Sequence, residues 1–211
     1  MMNRITVVFL LILTCSSAQE SNFEGLIKYD LIFEDKTGQM TDDQVVQFMG
    51  DSQSYFIKKN KYKSIMNGML EVTQYYTGND TIYSEMNGIG SIMFLDTKNI
   101  SEEVISYKIK EESSIISGYS CDLLEVKSNL GITLYYFNSS IKVNPEDFQN
   151  HHYGLWYYCL KKTKGALPIK MVRDIDKSKL IIELTELERK ELASEMFEIP
   201  KGVPIVKNPS Q

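Results

Sequence analysis

The chain has few of the residues from which most catalytic and metal centres are built. Its 211 residues include three cysteines, two histidines and one tryptophan. The histidines are the neighbours His151 and His152, whose side chains usually point apart, whereas a zinc site needs three or four ligands brought together. The G-x-S-x-G motif of serine hydrolases is absent. We therefore predict a protein without catalytic residues, metal or cofactor.

Two further enzymatic interpretations are also disfavoured. Gly88-Ile89-Gly90 lacks the third glycine of a dinucleotide-binding loop, and it lies between two predicted strands. Cys121 or Cys159 paired with a histidine would supply a thiol nucleophile and its base. The sequence around these cysteines matches no thiol-enzyme motif, so we do not expect this chemistry.

Long apolar runs are missing except near the N terminus. Residues 5–13 form an apolar run of about nine residues, well short of the ~20 that span a bilayer. Arg4 precedes this core and small residues follow it at positions 16–18, which is typical of a secretory signal peptide. We predict that residues 1–18 are a signal peptide cleaved after Ala18. The mature chain is then periplasmic or secreted and has no transmembrane segment.

Lipidation of Cys15 is a less favoured alternative to ordinary cleavage. Lipoprotein signal peptidase prefers a leucine and then a small residue before the cysteine, and Leu13-Thr14 fits that preference poorly. Residues 19–211 are long enough to bury a sizeable core. They contain no linker or repeat, so we predict a single β-rich domain whose C-terminal tail frays from about residue 203.

Neither sign of charge dominates the chain. Twenty-eight acidic and 23 basic residues give a formal net charge of −5. The densest basic run, residues 58–63, is interpreted as the solvated face of a strand. Because nucleic-acid binding requires a basic patch or stripe, we predict no nucleic-acid partner.

Two cysteines remain once the predicted signal peptide is removed. Cys121 and Cys159 form a disulfide candidate in an oxidising compartment, and a bridge between them would contribute about 3–4 kcal/mol. The alternative is two separate buried thiols that behave as small apolar side chains. The sequence leaves both alternatives open.

Short strand signals separated by turns dominate the chain, and helix signals are few. This spacing predicts an α+β fold, mainly β, built on one antiparallel sheet. Helix signals occur from Asn144-Pro145 to about residue 150 and over residues 154–162. The predicted strands cover residues 23–33, 44–49, 54–59, 61–66, 70–76, 81–86, 91–95, 104–110, 119–127, 131–138, 166–173 and 180–188.

Three segments resemble a group of secreted bacterial proteins of unknown function. They are residues 116–121 (ISGYSC), residues 166–172 (ALPIKMV) and residues 195–202 (EMFEIPKG). The group is distantly similar to the GLPGLI family, although residues 166–169 lack the second glycine of that signature. The resemblance implies the fold of the periplasmic carrier LolA, an open half-barrel formed by a single curved antiparallel sheet with one or two short helices on its concave side. It implies no catalytic residue.

Aromatic and methionine side chains supply the candidate ligand-binding residues. In a half-barrel, alternate residues of each strand face the concave side, so one of two adjacent large side chains would line a cavity. We select Met93, Phe94, Tyr136 and Trp156 as the candidate lining. The alternative is that these side chains only fill the core between sheet and helices.

Two functions remain on this basis. The first is a non-enzymatic extracytoplasmic binding protein that shelters a lipid, an acyl chain or another apolar ligand beneath the curved sheet. The second is a cell-envelope module that binds a protein partner through a sheet edge or the convex face and has no small-molecule ligand.

Overall fold

A computed structural model describes residues 22–209, and one sheet of twelve strands organises that part of the chain. Two α-helices, α1 (Asp42–Met49) and α2 (Trp156–Lys162), accompany the sheet. The strands are β1 (Gly25–Asp35), β2 (Ser52–Lys58), β3 (Lys61–Met66), β4 (Thr73–Tyr76), β5 (Thr81–Glu85), β6 (Ile92–Asp96), β7 (Val104–Ile116), β8 (Tyr119–Ser128), β9 (Gly131–Lys142), β10 (Ala166–Ile175), β11 (Ser178–Arg189) and β12 (Ile205–Lys207).

Two antiparallel meanders meet at the centre of this sheet. The strand order is β12-β6-β5-β4-β3-β2-β1-β11-β10-β9-β8-β7. Strands β1 to β6 run outward toward the edge that β12 forms, while β7 to β11 run inward from the other edge. The two meanders join where β1 pairs with β11, with Gly25 opposite Arg189. The predicted fold class, mainly β with a single open antiparallel sheet and short helices, is confirmed.

The sheet must curve strongly, because the connection from β6 to β7 is short. Ten strand spacings separate β6 from β7 in the sheet order, which would amount to about 48 Å in a flat sheet. The seven connecting residues, 97–103, reach at most about 29 Å when fully extended. The two flanks therefore bend toward each other, and residues 97–103, which we call the strap, cross the open side of the half-barrel.

A helix, α1, replaces the strand predicted for residues 44–49. Thr41 and Gln44 form a capping box: the Gln44 backbone amide donates to the Thr41 hydroxyl at 3.3 Å, and the Thr41 amide donates to Gln44 Oε1 at 2.8 Å. Asp42 and Asp43 add negative charge to the first turn, where the helix dipole favours it. The strand prediction was wrong because this N-terminal signal outweighs the β-forming residues that follow.

The two predicted helical segments are helical but broken. Pro145–Phe148 and Tyr153–Leu155 are single 3₁₀ turns, and α2 follows directly after the second. Gly154 and Leu155 both adopt left-handed backbone, with φ of 63° and 61°. This reversal turns the chain so that α2 lies against the concave face of the sheet.

The C-terminal tail does not fray at residue 203 as predicted. Ile205–Lys207 form β12, which pairs in parallel with Ile92–Phe94 of β6. The Ile92 amide donates to the Pro204 carbonyl oxygen at 2.8 Å. Proline and glycine in this tail suggested disorder, but the unpaired edge of β6 supplies hydrogen-bond partners. The pair of β6 and β12 is parallel, whereas the predicted sheet is antiparallel.

The predicted signal peptide and Cys15 lie outside the described residues. Over residues 22–209, no helix has both the length and the apolar character needed to cross a membrane.

Candidate functional site

A cavity of about 470 Å³ lies between the concave face of the sheet and α2. Alternate residues of the strands point into it: Tyr29, Leu31 and Phe33 come from β1, and Tyr55 and Ile57 from β2. This spacing of two follows from the pleat, which places every second side chain on the same face. The cavity volume falls within the roughly 300–1,000 Å³ of small-molecule sites.

Four rings form one side of this cavity, and we call Tyr55, Tyr62, His151 and Trp156 the aromatic wall. Tyr55 stacks on Trp156 with ring centroids 6.0 Å apart and planes 12° apart. Tyr62 lies 5.6 Å from Trp156 and 5.7 Å from His151 by the same measure. These contacts join β2 and β3 to the segment that carries α2.

A buried hydrogen bond of 2.9 Å joins the Tyr62 hydroxyl and His151 Nε2. Burial lowers the pKa of His151 to about 4, because the cationic ring would lose its hydration. Burial also raises the pKa of Tyr62 well above its ordinary value. Both side chains are therefore uncharged at neutral pH.

Charged and polar side chains form a second side of the cavity. We call Glu102, Tyr135 and Arg173, which all line the cavity, the ionic wall. Arg173 Nη2 donates to Glu102 Oε2 at 2.7 Å, and the Ser128 hydroxyl donates to Glu102 Oε1 at 2.6 Å. The Glu102 side chain is only 3% exposed. A buried carboxylate is tolerated here because a cation and a hydroxyl group both bind it.

The strap brings Glu102 to this position. At one end the His152 amide donates to the Thr97 carbonyl oxygen at 2.9 Å, and at the other the Glu103 amide donates to Asn129 Oδ1 at 2.9 Å. Glu102 lies on this loop and Arg173 on β10. Sequence reasoning missed the pair, because no local motif links an acid on a loop to a base 71 residues later.

Three buried polar atoms of the cavity-lining residues have no hydrogen-bond partner within residues 22–209. They are the Tyr135 hydroxyl oxygen, His151 Nδ1 and Trp156 Nε1. Buried polar groups are nearly always paired, so these three atoms are the hydrogen-bonding groups that the lining side chains leave unused. The lining thus combines a mainly apolar surface with a few hydrogen-bonding groups.

The sequence-based lining residues are only partly brought together. Trp156 lines the cavity. Tyr136 does not line the cavity, but its neighbour Tyr135 does. Tyr136 lies opposite Lys170 of β10, and its side chain points to the other face of the sheet. Met93 and Phe94 lie on β6, next to the sheet edge and outside the lining. The principle of alternation was right, but the sequence did not indicate which of two adjacent tyrosines faces inward.

Cys121 and Cys159 are both buried free thiols, so the disulfide candidate is not formed in this structure. Cys159 lines the cavity, and burial raises its pKa to about 12. Burial also raises the pKa of Cys121. The structure therefore adopts the second alternative, in which both thiols act as small apolar side chains.

Metal-ligating side chains do not cluster in this part of the chain. Over residues 22–209, no group of three or more histidine, cysteine, aspartate or glutamate side chains is arranged to hold a metal ion.

No protein-family model matches the chain, and no curated protein matches it. Among solved structures it is similar to a LolA superfamily protein from Nitrosomonas europaea. The two share 10% sequence identity over 86% of this chain and 91% of that chain, with a TM-score of 0.38. A relation to the GLPGLI family stays a prediction.

Proposed function

We propose that this protein is a non-enzymatic extracytoplasmic binding protein that shelters an apolar ligand, a lipid or an acyl chain, beneath its curved sheet. The observation that carries the proposal is the cavity of about 470 Å³, lined mainly by aromatic and aliphatic side chains. An apolar cavity of this size that α2 covers is suited to exclude water from a hydrocarbon chain.

Shape and apolarity supply enough affinity for such a ligand. Burying an acyl chain is worth about 0.8 kcal/mol per CH₂ group. Met49, Met66 and Met171 add flexible, polarisable side chains to the lining, and methionine adapts to chains of different shape. Ligand binding therefore needs no dedicated ionic contact.

The titratable groups that face the cavity support a binding role over a catalytic one. His151 has a pKa of about 4 and is hydrogen-bonded to Tyr62. Cys159 has a pKa of about 12, so its thiolate is scarce at neutral pH. Glu102 is bound by Arg173 and Ser128. Neither His151 nor Cys159 is therefore poised as a general base or a nucleophile near pH 7.

Lipid extraction from the native protein tests this function. The protein is purified from its native envelope without detergent, extracted with organic solvent and analysed by lipid mass spectrometry. We expect a lipid in stoichiometric amount. Absence of lipid, together with no uptake of an uncharged apolar fluorophore, would contradict the proposal.

A matched pair of variants ties the result to the cavity. Leu180→Trp fills space in the lining of β11, so we expect it to abolish fluorophore uptake. Ile181→Trp adds the same bulk to the opposite face of the same strand and should leave uptake unchanged. Equal effects of the two substitutions would mean that the probe binds elsewhere.

A second candidate function, binding of an envelope protein, rests on the exposed edge of β7. Within the described chain this strand of 13 residues pairs with β8 alone. Ile105, Tyr107 and Ile109 are exposed at alternate positions of β7. An extended segment of a partner can add to such an edge through backbone hydrogen bonds, with alternate side chains giving specificity.

Site-specific photo-crosslinking in the native envelope tests this second function. A photo-reactive residue at position 109 should crosslink to one protein, whereas the same residue at Ile205, on the opposite edge of the sheet, should not. Ile109→Lys should abolish co-purification of that protein. Identical crosslinks from both edges would contradict the proposal.

A further inference from the structure

We propose that the cavity selects uncharged amphiphiles, which combine an apolar chain with a neutral hydrogen-bonding group such as an ester, an amide or an alcohol, and that it discriminates against ionised ones. This inference rests on the proposed binding function and narrows the class of ligand. The juxtaposition that carries it is a self-neutralised ion pair beside unpaired polar groups in a mainly apolar cavity.

The charges of the lining cancel. Among the described residues that line the cavity, Glu102 and Arg173 are the two charged ones, and they bind each other at 2.7 Å. His151 is buried, bonded to Tyr62 and neutral near pH 7. A ligand therefore meets a surface of no net charge.

An ionised head group would be poorly compensated in this cavity. A ligand carboxylate would have to compete with Glu102 for Arg173, which also donates to Thr133 at 3.4 Å. A ligand ammonium group would have to compete for Glu102, which already accepts from Arg173 and Ser128. In either case one charge would remain buried without a full partner, and that is costly in free energy.

Neutral polar groups fit the unpaired atoms better. Trp156 Nε1 can only donate a hydrogen bond, and the Tyr135 hydroxyl can donate or accept one. Burial raises the pKa of Tyr135, so the hydroxyl keeps its proton. An ester or amide carbonyl, or an alcohol, can accept from these donors without adding a charge. We infer that this polar group lies near Tyr135, the residue that β9 contributes to the ionic wall.

Competition among three ligands of equal chain length tests the inference. A monoacylglycerol, the corresponding fatty acid and the corresponding alkyltrimethylammonium ion displace an uncharged fluorophore at pH 8, each below its micelle concentration. We expect the monoacylglycerol to bind at least about tenfold more tightly than either ion, which corresponds to one unpaired buried polar or charged group. Equal or tighter binding of the fatty acid would overturn the inference while leaving the binding function intact. Failure of all three ligands and of the fluorophore would instead contradict the binding function itself.

Tyr135→Phe is the sharpest variant, because it removes a single oxygen atom. We expect it to weaken monoacylglycerol binding about three- to tenfold and to leave binding of the uncharged fluorophore unchanged. Tyr136→Phe makes the same change one residue away, on the opposite face, and should bind as the wild type does. Unchanged monoacylglycerol affinity in Tyr135→Phe would overturn the placement of the polar group.

Glu102→Gln tests the role of charge directly. It frees Arg173 from its partner, so the variant should gain affinity for the fatty acid relative to the monoacylglycerol. If this variant does not fold, the competition among the three ligands on the wild-type protein decides whether charge is selected against. If the folded Glu102→Gln protein binds the three ligands with the same order of affinity as the wild type, selection by charge neutrality is contradicted.

Discussion

The aromatic wall and the ionic wall face one cavity, yet different forces hold them in place. Tyr55, Tyr62 and Trp156 pack ring against ring at 5.6–6.0 Å. On the other wall, Glu102 and Arg173 depend on one buried pair at 2.7 Å. Ring packing is distributed over many weak contacts, whereas the ion pair is a single contact between two groups that are each costly to leave alone.

This difference predicts that the two walls lose different amounts of stability when one side chain is replaced. Loss of one ring removes contacts but leaves the others in place, with each aromatic pair worth about 0.5–1.5 kcal/mol beyond burial. Loss of one charge leaves its partner buried and unpaired. The walls also differ in origin, since the ionic wall depends on the strap, while the aromatic wall depends on β2, β3 and the segment leading into α2.

The largest effect is expected from Arg173→Met. Glu102 would remain buried without its cation, so the free energy of unfolding should fall by about 3–5 kcal/mol. The double variant Glu102→Met/Arg173→Met should recover most of this loss, because it removes both charges. Urea denaturation of the two variants measures the effect. A double variant as unstable as the single one would show that the pair is not the cause.

Trp156→Ala should be the next most damaging change. It removes the ring that contacts Tyr55, Tyr62 and Phe148 and enlarges the cavity, so we expect a loss of about 3–4 kcal/mol in unfolding free energy. Tyr157→Ala, on the same helix with a more peripheral ring, is the control and should cost less. Similar losses for the two would mean that the aromatic wall contributes little beyond helix packing.

The aromatic wall should also make stability depend on pH through His151. Its pKa is about 4 in the folded protein against an ordinary value of 6.5, so the unfolded chain binds more protons between these values. Stability from this group is present above pH 6.5 and is lost as the pH falls toward 4, by about 3 kcal/mol in total.

Thermal unfolding of His151→Gln against wild type from pH 7 to pH 4 measures this dependence. The variant should lose less stability over that range, since it has no buried imidazole to protonate. His152→Gln changes the neighbouring, more exposed ring and should follow the wild type. If all three proteins lose stability in parallel, His151 is not responsible.

The smallest effect concerns the thiols. Burial raises the pKa of both Cys121 and Cys159, so neither should react with a thiol reagent in the native protein. Denaturation without reductant should expose a free thiol at each of these two positions. Finding neither would mean that the two cysteines form a disulfide.

Much of the sheet could be predicted from the sequence, because strand and turn signals are local. Alternation and turns such as Asn67-Gly68 indicated most of the strands. The same local logic failed at α1, where a capping box overrides β-forming residues, and at β12, where pairing comes from a distant strand. Pairing of the tail depends on which strand of the folded sheet has an unpaired edge, and the sequence of the tail does not contain that information.

The candidate site was less accessible from sequence. Trp156 could be selected because a large aromatic residue in a short amphipathic helix faces a core or a cavity. The choice between Tyr135 and Tyr136 depends on register, and one residue of shift moves a side chain to the opposite face. Glu102 and Arg173 are ordinary charged residues in the sequence. Only the crossing of the strap brings them together.

The meeting of β1 with β11 has a consequence for how the chain reaches its native state. The first strand of the domain lies at the centre of the sheet, and its partner, Ser178–Arg189, is nearly the last to be synthesised. Such non-local pairing slows folding, since a long loop must close before the contact is made. Until β11 emerges, one edge of β1 remains open to other strands, which makes the partly synthesised chain prone to aggregation.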